Sequence, residues 1–257
     1  MLKQQQLRLL LIILRHLKQQ LYSKDMDFLA SIDLSPLLIS LKTAIIATVV
    51  AFFGGIACAR WAMKLKPLSK SILDGILNLP LVLPPTVAGF LLLLLFSLKR
   101  PLGIYLWEHY QFKVVLSWPG CVLAATVVAF PLMYRNARAA FEQVDVNYIY
   151  AGRTLGLSEW TIFRKVVIPV AGPGIASGTI LTFARALGEY GATSMIAGYT
   201  PGRTATISTT VYQLWRTNND AEALRWVLVN IAISAVFLLA VNLLETREKQ
   251  GRKGVGR

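Results

Sequence analysis

The chain has 257 residues, of which 55% are hydrophobic and only 16% charged, and its mean hydropathy is +0.53. This balance excludes an ordinary soluble domain and predicts a membrane protein. The formal net charge of +14 would suit a nucleic-acid partner. However, the basic residues lie between apolar segments rather than on one soluble face, so we expect no nucleic-acid binding.

Residues 1–34 form a basic, amphipathic segment ahead of the apolar part of the chain. Its apolar core, residues 7–14, is too short to cross a bilayer, because a spanning helix takes about 20 residues. The pattern predicts a helix that lies in the membrane interface. A signal peptide is the alternative, although no small-residue cleavage pattern follows the apolar core.

Five later segments are apolar over the length that a spanning helix needs. They are residues 37–59, 76–98, 114–133, 168–187 and 226–244. The predicted fold class is therefore an all-α integral membrane protein of about five transmembrane helices. We expect a membrane domain over residues 35–245 and a basic tail over residues 246–257.

Loop charge orients these predicted spans. Basic residues concentrate after the first span, between the third and fourth, and in the tail, whereas the other two loops hold few. The positive-inside rule therefore places the tail in the cytoplasm. Five spans would put the N-terminus outside, yet its five basic residues favour the inside, and the sequence leaves this open. Lys42, near the outer end of the first span, is interpreted as a snorkelling side chain.

The sequence lacks the motifs of common catalytic sites. It contains no G-x-x-x-x-G-K-[ST] phosphate loop, no G-x-S-x-G nucleophile elbow and no H-E-x-x-H zinc helix. We therefore expect a non-catalytic chain that binds no metal and no cofactor. No second copy of any motif is visible, which weakens the hypothesis of an ion-coupled secondary transporter built from repeats.

The longest cytoplasmic loop, residues 142–167, is amphipathic enough to form two short helices joined by a turn around Gly156. Asp145 is placed to cap the first helix and Ser158 the second. Gly156 would allow the turn a positive φ, because it has no Cβ. From these residues alone, an interfacial loop and a surface that docks a partner are equally open.

This loop resembles the EAA loop of binding-protein-dependent ATP-binding-cassette (ABC) importer permeases, whose pattern is E-A-A-x-x-x-G, nine residues, then I-x-L-P. Ala151, Gly156 and Pro169 match that spacing, while Tyr150 replaces the acidic residue and Gly152 the second alanine. In that family the loop forms coupling helices that dock on an ATPase subunit. The resemblance implies an ATPase contact that involves Ala151, Gly152, Arg153, Thr154, Leu155, Gly156, Trp160 and Pro169.

Three prolines, Pro80, Pro84 and Pro85, interrupt the second predicted span. Each removes a backbone donor and clashes with a preceding carbonyl, so the helix must be kinked or locally unwound there. Such backbone is tolerated in a membrane where it is buried in protein or lines a cavity. A pathway lining and a packing kink are both open. The candidate pathway residues of this stretch are Pro84, Pro85, Thr86 and Gly89.

A second candidate stretch lies at the outer end of the fourth predicted span. Arg185 and Glu189 are four residues apart and so share a helix face, which predicts an ion pair. An arginine neutralised in this way would attract an anion only weakly, as suits a conduit. A purely structural pair is the alternative. Gly191 and Thr193 complete the candidate pathway residues.

Four segments together resemble the molybdate group of type I ABC importer permeases. They are L-P-L-V-L-P-P-T-V at 79–87, R-T-L-G at 153–156, A-R-A-L-G-E-Y-G-A-T at 184–193 and P-G-x-T-x-T-I at 201–207. The resemblance implies a homodimer in the cytoplasmic (inner) membrane. It also implies two ATPase subunits that bind the ATP and Mg, and an extracytoplasmic molybdate-binding protein.

Other cargo and other classes of membrane protein remain as alternatives. Sulfate and thiosulfate permeases are similar through the G-E-[FY]-G-A region, so tungstate, sulfate or thiosulfate is the alternative cargo. An ion-coupled secondary transporter and a membrane-anchored scaffold are the alternatives from other classes. They differ in outcome, since the first predicts uptake that survives loss of ATP and the second predicts no solute flux.

Overall fold

Every regular element between residues 33 and 254 is a helix, in agreement with the predicted all-α fold class. The structure, a computed structural model, describes the backbone over that range and the side chains of residues 33–237 and 239. The predicted interfacial helix of the N-terminal segment and the side chains of the basic tail lie outside the described residues.

Several of the helices begin at a proline, where the missing N–H has no intrahelical partner to lose. In chain order the described elements are α1 (Ser35–Ala62), α2 (Pro67–Val82), α3 (Pro85–Phe96), α4 (Pro101–Tyr110), α5 (Trp118–Glu142), α6 (Val146–Thr154), α7 (Glu159–Ile162), a π-helix (Phe163–Val167), α8 (Ile168–Leu187), α9 (Gly191–Ile196), α10 (Ile207–Arg216) and α11 (Asp220–Gly254).

Three long helical segments of the described chain are apolar enough to cross a membrane: α1, α5 and the continuous stretch Glu159–Leu187. They contain the first, most of the third and the fourth predicted spans. The third starts at Trp118 rather than at residue 114, because the preceding residues form a turn. The fifth predicted span lies within α11, whose side chains are described only in part, so this crossing stays a prediction.

The second predicted span is divided into two helices at its prolines. α2 ends at Val82, α3 begins at Pro85, and their axes differ by 109°. Leu83 and Pro84 are extended, with ψ of 139° and 134°, because a residue before proline avoids the helical region. The unwinding inferred from the prolines is confirmed. A bend this large is that of a broken crossing or a re-entrant element, rather than of a kinked span.

Small residues bring α1 and α8 close to α5. A Cβ on Gly55 of α1 would lie 2.8 Å from Met133 Cγ, and a Cβ on Gly174 of α8 would lie 2.7 Å from Ala140 Cβ. Close helix approach through small residues is the usual packing mode inside a bilayer, where no hydrophobic force drives helices together. The three apolar helices therefore form the rigid part of the membrane domain, against which the candidate site is placed.

Candidate functional site

The two stretches predicted to line a pathway lie against each other, although they are far apart in the chain. A Cβ on Gly89 of α3 would lie 2.6 Å from Ala192 Cα, and a Cβ on Gly191 of α9 would lie 2.9 Å from Pro85 Cβ. Each stretch thus contributes a glycine against which the backbone of the other packs. The contact joins the broken second span to the short helix after α8.

The remaining predicted residues of these stretches differ in exposure. Pro84 and Thr86 are exposed at the start of α3, whereas Thr193 of α9 is only 1% exposed. Pro84 and Thr86 are therefore accessible from outside the protomer. Thr193 packs inside the protein and reaches no surface.

The predicted ion pair between Arg185 and Glu189 is present. Arg185 Nη1 donates to Glu189 Oε2 over 2.6 Å, and Glu189 is almost fully buried at 3% exposure. Its second oxygen, Oε1, accepts a hydrogen bond of 2.7 Å from the backbone N–H of Ala192. A buried carboxylate is stable only when paired in this way. Glu189 therefore links the end of α8 to the first turn of α9, and so to the contact with α3.

The side chain of Arg185 is partly exposed. Its exposed fraction is 30%, while the carboxylate beneath it is buried. An arginine whose charge is largely balanced offers a passing anion a weak attraction instead of a tight site. This geometry is compatible with both open interpretations of the pair, a pathway residue and a structural link.

Hydroxyl groups that the sequence analysis missed cap α10 and join it to α1. Thr206 and Thr209 form a reciprocal capping box at its start, and the N–H of Ile207 donates to Ser40 Oγ over 2.8 Å. Tyr190 packs against Tyr212 of this helix, with ring centroids 5.2 Å apart and the rings tilted by 50°. Burial is the main cause that raises the pKa of Tyr190, and the nearby phenol of Tyr212 raises it further. A box with threonine at both positions lacks the Glu or Gln that usually signals one in a sequence.

The predicted helix–turn–helix of the cytoplasmic loop is confirmed in detail. Asp145 caps α6 by accepting from the N–H of Asn147 at 2.9 Å, and Ser158 caps α7 by accepting from Thr161 at 3.2 Å. Gly156 stands between the helices with φ +73°, a conformation that side chains rarely adopt. The caps and the glycine turn therefore define where the two helices of this loop begin and end.

Three further contacts make the loop rigid. Arg153 Nε donates to Glu159 Oε1 over 2.7 Å across the turn, and this hydrogen bond raises the pKa of Arg153. A Cβ on Gly152 would lie 2.9 Å from Ile162 Cγ1, so the glycine lets α6 approach α7. Phe163 packs on Phe141 of α5, with ring centroids 5.6 Å apart. The loop is thereby joined to the membrane domain.

The loop carries large apolar side chains that are exposed in the described part of the chain. Leu155 is 77% exposed and Trp160 67%, and Tyr148 and Tyr150 are more than half exposed. We call these four residues the coupling-loop patch. Several exposed apolar side chains on one short ordered segment are typical of an interaction surface. Of the other residues predicted there, Ala151 and Thr154 are exposed, whereas Pro169 lies in the first turn of α8.

A polar network between α2 and α5 was also missed by the sequence analysis. Tyr134 and Arg138 both bond the carboxylate of Asp74, and Lys70 Nζ lies 2.6 Å from Glu142 Oε1. The only sequence signal was the i,i+4 spacing of Arg138 and Glu142. Next to the network is a cavity of about 390 Å³, lined by Asn78, Arg135, Arg138, Ala139 and Glu142. The broken second span is thus anchored to α5 by charge.

Comparison with known proteins shows which family has this architecture. Residues 51–250 match the family described as "Binding-protein-dependent transport system inner membrane component". The chain is 40% identical over 218 residues to the "Molybdenum transport system permease protein ModB" of Escherichia coli K12, which covers 84% of this chain and 95% of that protein. It is 30% identical over 218 residues to the "Sulfate transport system permease protein CysT" of the same strain, covering 85% and 78%.

Solved structures support the same fold. The inward-facing MetNI methionine ABC transporter matches with a TM-score of 0.64 and 16% sequence identity, covering 82% of this chain and 94% of that one. At that identity the likeness concerns the fold alone, which is that of a type I ABC importer permease. The chain therefore belongs to the binding-protein-dependent transport system inner membrane component family, and it is a multi-pass protein of the inner membrane.

Proposed function

We propose that this chain is the permease subunit of an ATP-driven importer that conducts molybdate across the inner membrane. The observation that carries the proposal is the difference between two relatives. Identity is 40% over nearly the full length of the molybdenum permease, but 30% over a smaller share of the sulfate permease. Tungstate, a tetrahedral dianion like molybdate, is the first competitor to test, and sulfate or thiosulfate the second.

We propose that the coupling-loop patch docks on an ATPase subunit, which binds the ATP and Mg. Leu155 and Trp160 are large apolar side chains held at fixed positions by the caps, by the Arg153–Glu159 pair and by the turn at Gly156. Aromatic residues on preordered backbone are the usual anchors of protein interfaces. The chain itself then needs no phosphate loop and carries out no hydrolysis.

The same contacts would carry movement from the ATPase into the membrane. Phe163, three residues after Trp160, packs on Phe141 of α5. The guanidinium of Arg60 from α1 lies over its ring, 4.4 Å from the centroid. A displacement of the loop therefore moves both helices. Because α8 runs from the loop to Leu187, two residues before Glu189, the displacement also reaches the contact between α9 and α3, where we place the gate.

We propose two copies of the chain around one pathway, with an extracytoplasmic binding protein that delivers the anion. The partly neutralised Arg185 and the exposed Pro84 and Thr86 would line the route. Weak attraction is sufficient there, since tight recognition belongs to the binding protein and strong binding would slow release. The assembly is inferred from the resemblance to importer permeases.

Reconstitution tests the whole proposal. The chain is inserted into proteoliposomes with its candidate ATPase and binding protein, and uptake of labelled molybdate is followed with and without ATP. We expect uptake that requires both partners and that excess tungstate reduces more than excess sulfate does. Uptake that persists without the ATPase would refute the ABC mechanism. Equal competition by sulfate and molybdate would refute the assigned cargo.

A further inference from the structure

An apolar groove of about 460 Å³ opens on the side of the membrane domain between α1, the end of α3 and the start of α5. Its walls are Ile46, Val50, Phe96, Phe112, Val114, Trp118, Pro119, Val122, Leu123 and Thr126. Any apolar surface of a membrane protein meets acyl chains, so apolarity alone specifies no ligand. A second feature is needed to make this groove a site.

Lys42 supplies that feature at one end of the groove. It precedes Ile46 and Val50 by four and eight residues, so the three side chains share one face of α1. Its Nζ lies 4.0 Å from the centroid of the Trp118 ring, which is itself a wall of the groove. Among the residues that the structure describes, no carboxylate is within ion-pair distance of Lys42. The ring face is the one described group that balances its charge.

The position of Lys42 along the helix fits the boundary between headgroups and acyl chains. It lies seven residues after the start of α1, which is about 10 Å along the helix axis from the predicted outer end. Lysine and tryptophan together are the usual anchors at that level. Trp118 is held in place, because its indole Nε1 donates to Thr43 Oγ1 over 3.0 Å. The cation therefore sits on a fixed platform at the mouth of an apolar groove.

We propose that the groove binds one acyl chain of an anionic phospholipid, whose phosphate is bound by Lys42. An ammonium group stacked on an aromatic ring still has N–H donors directed away from the ring. A phosphate diester presents the matching acceptors, and its attached chain matches the apolar walls. A zwitterionic lipid offers the same chain but no net charge, so the site prefers anionic headgroups. In the orientation predicted from loop charge, this lipid belongs to the outer leaflet.

Native mass spectrometry of the purified full-length chain tests the site. The protein is equilibrated in mild detergent with equal amounts of phosphatidylglycerol and phosphatidylcholine of the same chain length, and the retained lipids are counted. We expect the wild type to retain phosphatidylglycerol preferentially. Lys42→Met keeps the apolar stem but removes the charge, and should lower that preference about five-fold. Lys99 is also exposed, and the orientation predicted from loop charge places it on the same side of the membrane, so Lys99→Met is the matched control and should leave the preference unchanged.

Filling the groove gives an independent measurement. Val122→Trp should reduce the retention of both lipids, whereas Leu228→Trp on an exposed face of α11 should not. Ile46→Trp, from the opposite wall, repeats the test if the first variant fails to insert. An unchanged lipid preference in Lys42→Met overturns the proposal, and so does full retention in the groove variants. A lower proportion of dimer with lipid retention intact would assign the groove to a second copy of the chain instead.

Discussion

The contact between α3 and α9 allows a test whose size follows from distances. Replacing Gly89 by alanine places a Cβ 2.6 Å from the Cα of Ala192 and 2.7 Å from its carbonyl oxygen. Carbon atoms in ordinary contact are about 3.5–4.0 Å apart, so the two backbones must separate by roughly 1 Å. Overpacking of this kind costs about 1–3 kcal/mol. For a domain of this size the melting temperature should fall by about 2–12 °C.

The effect of Gly89→Ala is measured by thermal unfolding in detergent and by ATP-driven uptake in proteoliposomes. We expect both the melting temperature and the uptake rate to fall, because the altered contact lies at the proposed gate. Gly75→Ala is the control, since a Cβ on Gly75 of α2 would meet nothing within 4 Å. Alanine is also the better helix former there, by up to about 1 kcal/mol. A Gly89→Ala protein with wild-type melting temperature would refute the packing argument.

Three other variants test the loop and the ion pair. Gly156→Pro should abolish co-purification of the ATPase while leaving membrane insertion intact; Gly202→Pro, also at positive φ but in the external loop, should not reduce it. Trp160→Ala should weaken ATPase binding at least 30-fold, about 2 kcal/mol, in a pull-down titration, and undiminished binding would place the docking anchor elsewhere. Arg185→Ala leaves the carboxylate of Glu189 buried without its partner and should cost about 3 kcal/mol of stability. Adding Glu189→Gln should recover part of that loss, and wild-type stability in the single variant would contradict the pairing.

The features that could be predicted from the sequence are those set by neighbouring residues. Asp145, Gly156 and Ser158 each act within a few residues of their own position, and the caps and the turn appear as predicted. The Arg185–Glu189 pair follows from the spacing of a helix. The prolines predicted a kink or local unwinding of the second span for the same local reason. Its angle of 109° depends on what α2 and α3 pack against, and no local pattern carries that information.

Contacts between distant segments were not predictable in this way. The closure of α3 on α9 depends on Gly89 and Gly191, and a glycine in a sequence does not say which backbone approaches it. The attachment of Asp74 to Arg138 joins residues on different helices, and only an alignment of many relatives or a structure brings them together. The candidate residues of the gate could therefore be identified from the sequence, whereas the contact between them is seen only in the structure.

The π-helix between the coupling loop and α8 makes the length of this segment important for the direction of the loop. The N–H of Ile168 bonds to the carbonyl of Phe163, five residues back, so this turn contains one more residue than an α-helical turn. Deleting one residue there would restore a regular helix, but it would rotate Trp160 by about 100° around the helix axis. The number of residues between Gly156 and Pro169 thus sets the rotation of Trp160 about the helix axis. It determines which way the ATPase-facing end of this helix points relative to its membrane end.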